Sequence, residues 1–411
     1  MPIRLATNNS NGARIKVIGV GGGGGNALNS MVDKGIEGVE FIAVNTDAQV
    51  LEKNKAEIKL QIGRNITKGR GAGMDDEVGN KAVEECRGEI EELLSGSDMV
   101  FITAGMGGGT GTGGAPAVAR IAKSVGALVV AIVTKPFLFE GKPRMELAVK
   151  GLDKLKNEVD SLITIPNQNI ARLISKDATT RQAFELADRV LYNATKGISK
   201  IITDAGDINV DFADVRTIMK DTGDAMIGTG LASGHDRAEK AANDALVNPV
   251  LDEINIEGSK CILTNICSNG DVTFSEIEKV NEIIQQAAGE DAKYIFGLVN
   301  DPKMNDEIMV TVIATGFTKK NQILIQDNTK SDFQAVRSSG IGSTGKITAM
   351  PTAEGIKEYD SPAYNRRQVS LNDDLSEDIK RIKHETDDTG FEDIDIDEDY
   401  TKPAFLRRQM D

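Results

Sequence analysis

Gly105-Met106-Gly107-Gly108-Gly109-Thr110-Gly111-Thr112-Gly113-Gly114 stands between an apolar run at 99–104 and a stretch at 115–125 that suits a helix. The run before it is short and rich in β-formers, so it reads as a buried strand. Glycine has no side chain, and a string of glycines lets the backbone wrap a ligand closely with its N–H groups exposed. At a strand–turn–helix junction those donors meet the positive end of the helix dipole, which makes an anion site. The anion inferred is a phosphate chain, with Thr110 and Thr112 adding hydroxyl donors. A P-loop would end in Gly-Lys-Ser or Gly-Lys-Thr; here the next lysine is Lys123.

Working outward, a second strand–glycine–helix unit opens the chain. Residues 14–20 read as a strand, Gly21-Gly22-Gly23-Gly24-Gly25-Asn26 follows, and 27–34 reads as a helix. Further strands are expected at 40–45, closed by Asn45-Thr46-Asp47, at 58–62 and at 127–133. A third glycine loop, Lys68-Gly69-Arg70-Gly71-Ala72-Gly73, precedes a helix over 76–94. Strands alternating with helices imply a parallel α/β sheet with the phosphate site at its C-terminal edge. Residues 134–144 form a loop into a helix through 159, and 161–166 a strand. A long helix is expected over 179–202, with apolar Phe184, Ala187, Val190, Leu191 and Ala194. Beyond it a smaller α/β domain with a mixed sheet is expected: strands at 224–231, 260–267, 294–299 and 307–315, helices at 237–247 and 274–288. Periodicity then fades, and 318–400 reads as a disordered polar linker.

Composition narrows the function. The 411 residues are 40% apolar, enough for a sizeable core, but aromatics are only 4% and tryptophan is absent, so aliphatic side chains fill it. A net charge of −15 argues against nucleic-acid binding. Thirteen acidic and three basic residues fall between Asp373 and Asp399, so the rest is only mildly acidic. Cys86, Cys261 and Cys267 lack metal-ligand spacing and suit buried thiols in a reducing compartment. With only His235 and His384, no zinc or other protein-held metal site is expected. The first 14 residues lack a leader's apolar core. The longest apolar run, 127–133, is too short to span a bilayer. A soluble cytoplasmic protein is expected, without direct membrane insertion.

Gly107-Gly108-Gly109-Thr110-Gly111-Thr112-Gly113 resembles the signature of the tubulin/FtsZ family of GTPases. Asn209-Val210-Asp211-Phe212-Ala213-Asp214-Val215-Arg216 resembles the loop by which a member of that family enters its neighbour's nucleotide site. The resemblance implies GTP as substrate and GDP as product, Mg²⁺ held through the phosphates, and K⁺ as a candidate second cation. Gly22 to Asn26, Gly107, Gly108, Gly109, Thr110 and Gly111 would hold phosphates, with Arg144 nearby and Glu140 on the ribose. Asn167, Phe184 and Asp188 would contact ribose and guanine, the Phe184 ring stacking on the base. Asn209, Asp211 and Asp214 would be the catalytic set, completing the next subunit's site in a head-to-tail homopolymer. The tail Pro403-Ala404-Phe405-Leu406-Arg407-Arg408 resembles the family's docking peptide for division partners such as FtsA, with Phe405 and Leu406 in a groove and Arg407 and Arg408 at its rim.

The implied division is a disordered 1–13, a GTP-binding domain at 14–178, a central helix at 179–203, a C-terminal domain at 204–317, the linker 318–400 and the peptide 401–411. The implied place of action is the cytoplasm at mid-cell. Plainer readings stand beside this one. Asp211 and Asp214 would also suit a helix cap and its dipole, Glu140 and Arg144 a surface ion pair, and Phe184 a core aromatic. Gly19, Gly21 and Gly24 satisfy Gly-x-Gly-x-x-Gly, which with Asp47 on the ribose would describe a nicotinamide-dependent oxidoreductase. A nucleotide-binding regulatory module is a third reading. The third glycine loop departs from the family pattern: Asp75-Asp76 precedes Glu77 where many relatives have Asn-Pro, and Arg70 stands where an apolar residue is usual.

Overall fold

Short β-branched runs build the first half as parallel strands. The computed structural model describes residues 12–171, 174, 177–203, 206–246, 256–289 and 291–317. Its first six strands are β1 (Ile15–Val20), β2 (Val39–Asn45), β3 (Ile58–Gln61), β4 (Met99–Gly105), β5 (Leu128–Lys135) and β6 (Ser161–Pro166). They lie in the order β3-β2-β1-β4-β5-β6, each neighbouring pair parallel. In such a doubly wound sheet the strand order reverses beside β1, and a ligand crevice opens at the C-terminal ends there. The glycine loops that follow β1 and β4 sit at that point.

The helices that pack on this sheet start earlier than the sequence suggests. α1 (Gly21–Lys34) begins inside the first glycine run, six residues before the expected start. The short α2 (Ala48–Glu52) and α3 (Arg64–Thr67) follow. The single helix expected over 76–94 is two, α4 (Asp76–Glu85) and α5 (Arg87–Leu94), broken at Cys86 with φ −108° and ψ 19°. α6 (Gly109–Ser124) again starts inside its glycines. Propensity disfavours glycine in a helix, but packing here requires it. A Cβ on Gly24 would run into the Thr103 carbonyl, and one on Gly111 would lie 2.6 Å from the Gly105 carbonyl oxygen. α7 (Lys142–Lys156) and α8 (Asn167–Ala171) complete the set before the long helix. Adjacent strand residues such as Val17 and Ile18 belong to different apolar clusters, so both faces of the sheet are buried. That is the pattern of an all-parallel sheet.

α9 (Thr180–Thr203) buries Ala187, Leu191, Ala194, Ile198 and Ile201, spaced alternately four and three along one face. This stripe packs with residues of both halves, Leu28 and Ile132 on one side and Leu263 and Ile313 on the other. After it come β7 (Gly206–Ile208), α10 (Phe212–Met219), β8 (Gly223–Ser233), α11 (Arg237–Leu246), β9 (Cys261–Ser268), α12 (Phe274–Ala288), β10 (Lys293–Asn300) and β11 (Glu307–Thr315). The mixed sheet expected for the second half continues the first: β8 pairs with β6 over three positions, Ser161–Ile163 against Gly223–Ala225. The order then runs β8-β11-β9-β10-β7, so one eleven-stranded sheet crosses the described residues. No helix among the described residues is long and apolar enough to cross a membrane. The first eleven residues, the 318–400 linker and the 401–411 peptide, with Pro403, Phe405, Leu406, Arg407 and Arg408, lie outside the described residues.

Candidate nucleotide site

The site is built mainly from backbone. β1 and β4 each deliver their chain into a helix N-terminus, α1 and α6, side by side at the C-terminal edge of the sheet. At such a terminus the first N–H groups have no intrahelical acceptor. A Cβ added at Gly22 or Gly108 would meet nothing within 4 Å, so both turns face open space. Gly22, Gly23 and Asn26 are exposed, whereas Gly24 and Gly25 are buried in the packing of α1. Of the first run, then, Gly22 and Asn26 are open to solvent and Gly24 and Gly25 seat the helix.

The two threonines also hold the loop itself. Thr110 Oγ1 pairs with Thr46 Oγ1 at 2.6 Å, both residues buried. Thr112 Oγ1 accepts the Gly107 N–H at 2.8 Å. Both hydroxyls brace the loop, and Gly107 takes the positive φ of +99° that the turn needs. The Gly109 N–H is also used internally, donating to the Gly73 carbonyl at 2.7 Å. Gly107 lies against Arg144: a Cβ there would sit 2.7 Å from both Arg144 Cγ and its carbonyl oxygen. Arg144 is thereby brought to the glycine loop after β4. Its guanidinium pairs with Glu140 at 3.0 Å, and Glu140 also accepts the Phe137 N–H at 2.8 Å.

A second group of residues gathers beyond β5. Phe184 presents its ring edge-on to buried Phe137, centroids 5.3 Å apart, and remains 40% exposed. A core aromatic would not, and an open ring face suits a stacked base. Phe137 also stacks on exposed Phe139 at 5.0 Å. Asn167 is buried, and its side-chain Oδ1 has no hydrogen-bond partner. An orphan acceptor beside a crevice is filled when a ligand donates to it. Burial pushes the Asp188 carboxyl up to about 6, with nearby Lys34 opposing. Two helix termini, an orphan amide oxygen, an open ring and a carboxyl fit a purine nucleotide.

The catalytic candidates are elsewhere. Asn209, Asp211 and Asp214 are exposed. Asp211 caps α10, accepting the Ala213 N–H at 3.2 Å, and Asn209 accepts the Gly206 N–H at 2.6 Å. Neighbouring Val210, Val215, Ile218 and Met219 are buried and anchor the segment. Arg216 on α10 points to the Gly126 carbonyl at 3.5 Å, just before β5 begins. That is the N-terminal edge of the sheet, across all of β5 from the phosphate loops. The other end of α9 agrees: Gly38, ahead of β2, lies against Thr203. Asp47, the acid an oxidoreductase would need on a ribose, is spent capping α2, accepting from Gln49 and Val50. Sequence reasoning missed Thr46 and Phe137 as supports, because each acts only through a residue distant in the chain.

Comparison with known proteins now decides between the readings. A model of the Tubulin/FtsZ family GTPase domain matches residues 14–175, and one of the FtsZ family C-terminal domain matches 223–318. The chain is 45% identical over 407 residues to the cell division protein FtsZ of Coxiella burnetii, covering 98% of each. It is 46% identical over 409 residues to that of Azotobacter vinelandii, covering 99% of each. The chain belongs to the FtsZ family. A solved empty FtsZ dimer from M. jannaschii is 42% identical, with a TM-score of 0.71 over 75% of this chain and 89% of that one. CetZ2 from Haloferax volcanii, at 20% identity and a TM-score of 0.65, shares the fold. As an FtsZ-family protein the chain is a GTPase that binds GTP and GDP, and the oxidoreductase reading is overturned.

Proposed function

We propose that this FtsZ-family chain assembles head to tail and hydrolyses GTP at the junction between subunits, Asp211 and Asp214 of one subunit completing the phosphate site of the next. The observation that carries this reading is the separation of the acids from the phosphate loops. α9 has 24 residues, about 36 Å at 1.5 Å per residue, with Phe184 and Asp188 near one end and the acidic loop beyond the other. No side chain bridges that distance within one molecule. Stacked copies bring the two ends together, and a heterologous contact of this kind builds an open filament.

Within such a junction each residue has a task. Gly22 and Gly108 admit the phosphates to the N–H groups of α1 and α6, and Arg144 adds positive charge. Asp188, ionised, accepts two N–H bonds from guanine, which ATP cannot supply. Asn167 accepts from the ribose or base. Asp211 and Asp214 orient the attacking water, and Asn209 holds their loop in its turn. Mg²⁺, assisted by K⁺, would neutralise charge on the phosphates.

The deciding measurement is phosphate release from GTP against protein concentration, with ATP as control. Activity per molecule should rise steeply above a threshold, together with light scattering. A flat profile would mean that each monomer carries a whole site. The proposal extends to the tail and to the cytoplasmic division site at mid-cell: deleting 403–411 should leave polymerisation intact and remove binding to a partner such as FtsA.

A further inference from the structure

The loop that leaves α3 and enters α4 carries three glycines with positive φ, Gly69 at +76°, Gly71 at +84° and Gly73 at +58°. A segment so free to bend takes its position from its ends. Its far end is Asp75-Asp76. Asp75 caps α4, accepting the Glu77 and Val78 N–H groups at 2.9 and 3.2 Å. Asp76, the first helical residue, is 6% exposed. Its carboxylate receives Lys154 of α7 at 2.8 Å and Lys150 of α7 at 3.3 Å. The Lys154 hydrogen bond, the largest influence, holds the Asp76 carboxyl below the usual carboxylate range.

The backbone around Asp76 rests on the phosphate-loop helix. Its carbonyl lies where a Cβ on Gly113 of α6 would have to go, and a Cβ on Gly109 would sit 2.6–2.9 Å from the carbonyl oxygens of Asp75, Ala72 and Gly73. The Gly73 carbonyl takes the Gly109 N–H at 2.7 Å. α7 grips α6 from its other side, Gly151 against Thr112 and Arg144 against Gly107. The start of α6 is thus clamped between α4 and α7, and Asp76 is the buried side chain that ties the two jaws together, with exposed Glu77 a longer contact to Lys154 at 3.5 Å.

We infer that Asp76 is a positioning residue of the phosphate site: through Lys150 and Lys154 it fixes the 71–75 loop against the N-terminus of α6 and so sets how long a bound nucleotide is retained. This rests on the reading that the open turns at Gly22 and Gly108 receive the phosphates. Proline, which the family pattern places here, would hold the helix start but leave α7 untied.

The test is the dissociation rate of a fluorescently labelled GDP from the full chain, with amide exchange at 71–75 and Gly109. Asp76→Asn should speed dissociation about three- to tenfold, the scale on which a lost charge pair changes an off-rate. The Lys150→Met, Lys154→Met pair should do the same. All three substitutions together should add little further, since one clamp is lost once. Asp76→Glu should restore most of the retention. Exchange at Gly109 should rise with the off-rate. If Asp76→Asn fails to fold, Asp76→Pro carries the test, because proline suits the first helical position and Asp75 is already extended (φ −101°, ψ 106°). An unchanged off-rate in a folded Asp76 variant, with only thermal stability lowered, overturns the inference. Gly22→Leu separates it from the site reading: it fills the open turn and should block GDP. Normal GDP binding by Gly22→Leu would overturn the site reading, and the inference with it.

Discussion

The two ends of α9 sit in opposite chemical surroundings. At one end, main-chain groups dominate: glycines pressed against carbonyls, threonine hydroxyls spent on the loop itself, helix N-termini open to solvent. At the other, carboxylates stand exposed on a segment pinned by buried valine, isoleucine and methionine. In the first region Glu140 is paired with Arg144 at 3.0 Å and the half-buried Asp188 carboxyl is pushed up to about 6. The second has acids and nothing to hold. Binding is built from backbone at the ends of parallel strands, where the geometry is rigid. The exposed carboxylates of Asp211 and Asp214 stand a helix-length away from the glycine turns.

The contrast can be broken most directly at Asp214. Asp214→Ala should lower GTP turnover by about a hundredfold or more, as expected for a group acting in the transition state, while GTP still binds. Mixing it with Gly22→Leu should restore turnover, since some junctions then join an intact glycine turn to an intact acid; no recovery would mean the two regions never meet. Within the binding half, Gly24→Ala should destabilise the fold by about 1–3 kcal/mol through overpacking, because its Cβ meets the Thr103 carbonyl. Gly22→Ala, in open space, should not. Denaturant midpoints of the two variants check this.

Asp188 gives a smaller and pH-dependent effect. Its carboxyl is ordinarily near 3.8 and about 6 in the fold, so the fold loses stability as pH rises from one value to the other. Above about pH 6 the penalty is fully present. Asp188→Asn should therefore raise the melting midpoint of nucleotide-free protein at neutral pH while weakening GTP binding about tenfold, as a lost charged hydrogen bond does. Wild-type affinity should fall below pH 6, and the variant's should not; titrations of labelled GDP across that range decide it. The smallest effect belongs to Lys303→Ala. The Lys303–Glu37 contact bridges the halves at 3.0 Å, but both side chains are more than 80% exposed, so melting and turnover should stay unchanged.

Much of this was legible in the chain. Strands 99–104 and 161–166 announce themselves as apolar runs, and the glycine loops announce the site. The starts of α1 and α6 were hidden, because glycine argues against a helix by propensity and only the close approach to Thr103 and Gly105 explains it. β7 is three residues long and leaves no periodic trace. The union of the two sheets rests on the register of β6 with β8, which local pattern does not encode. In the candidate site, the glycine turns were readable but their supports were not: Thr46 meets Thr110 across 64 positions and Lys154 meets Asp76 across 78. Such pairs exist only once the fold has formed.

The placement of acids and phosphate turns at opposite poles of the molecule has a consequence for counting. In the proposed head-to-tail arrangement, a row would contain one fewer complete site than it has subunits. A lone subunit has none, a pair has one, and only long rows approach one per subunit. The two tips of a row are therefore chemically different. In that arrangement one would expose a nucleotide that no neighbour touches, free to exchange but not to be cut, and the other would expose acids without a substrate. Under that proposal, length itself would become the quantity the enzyme measures.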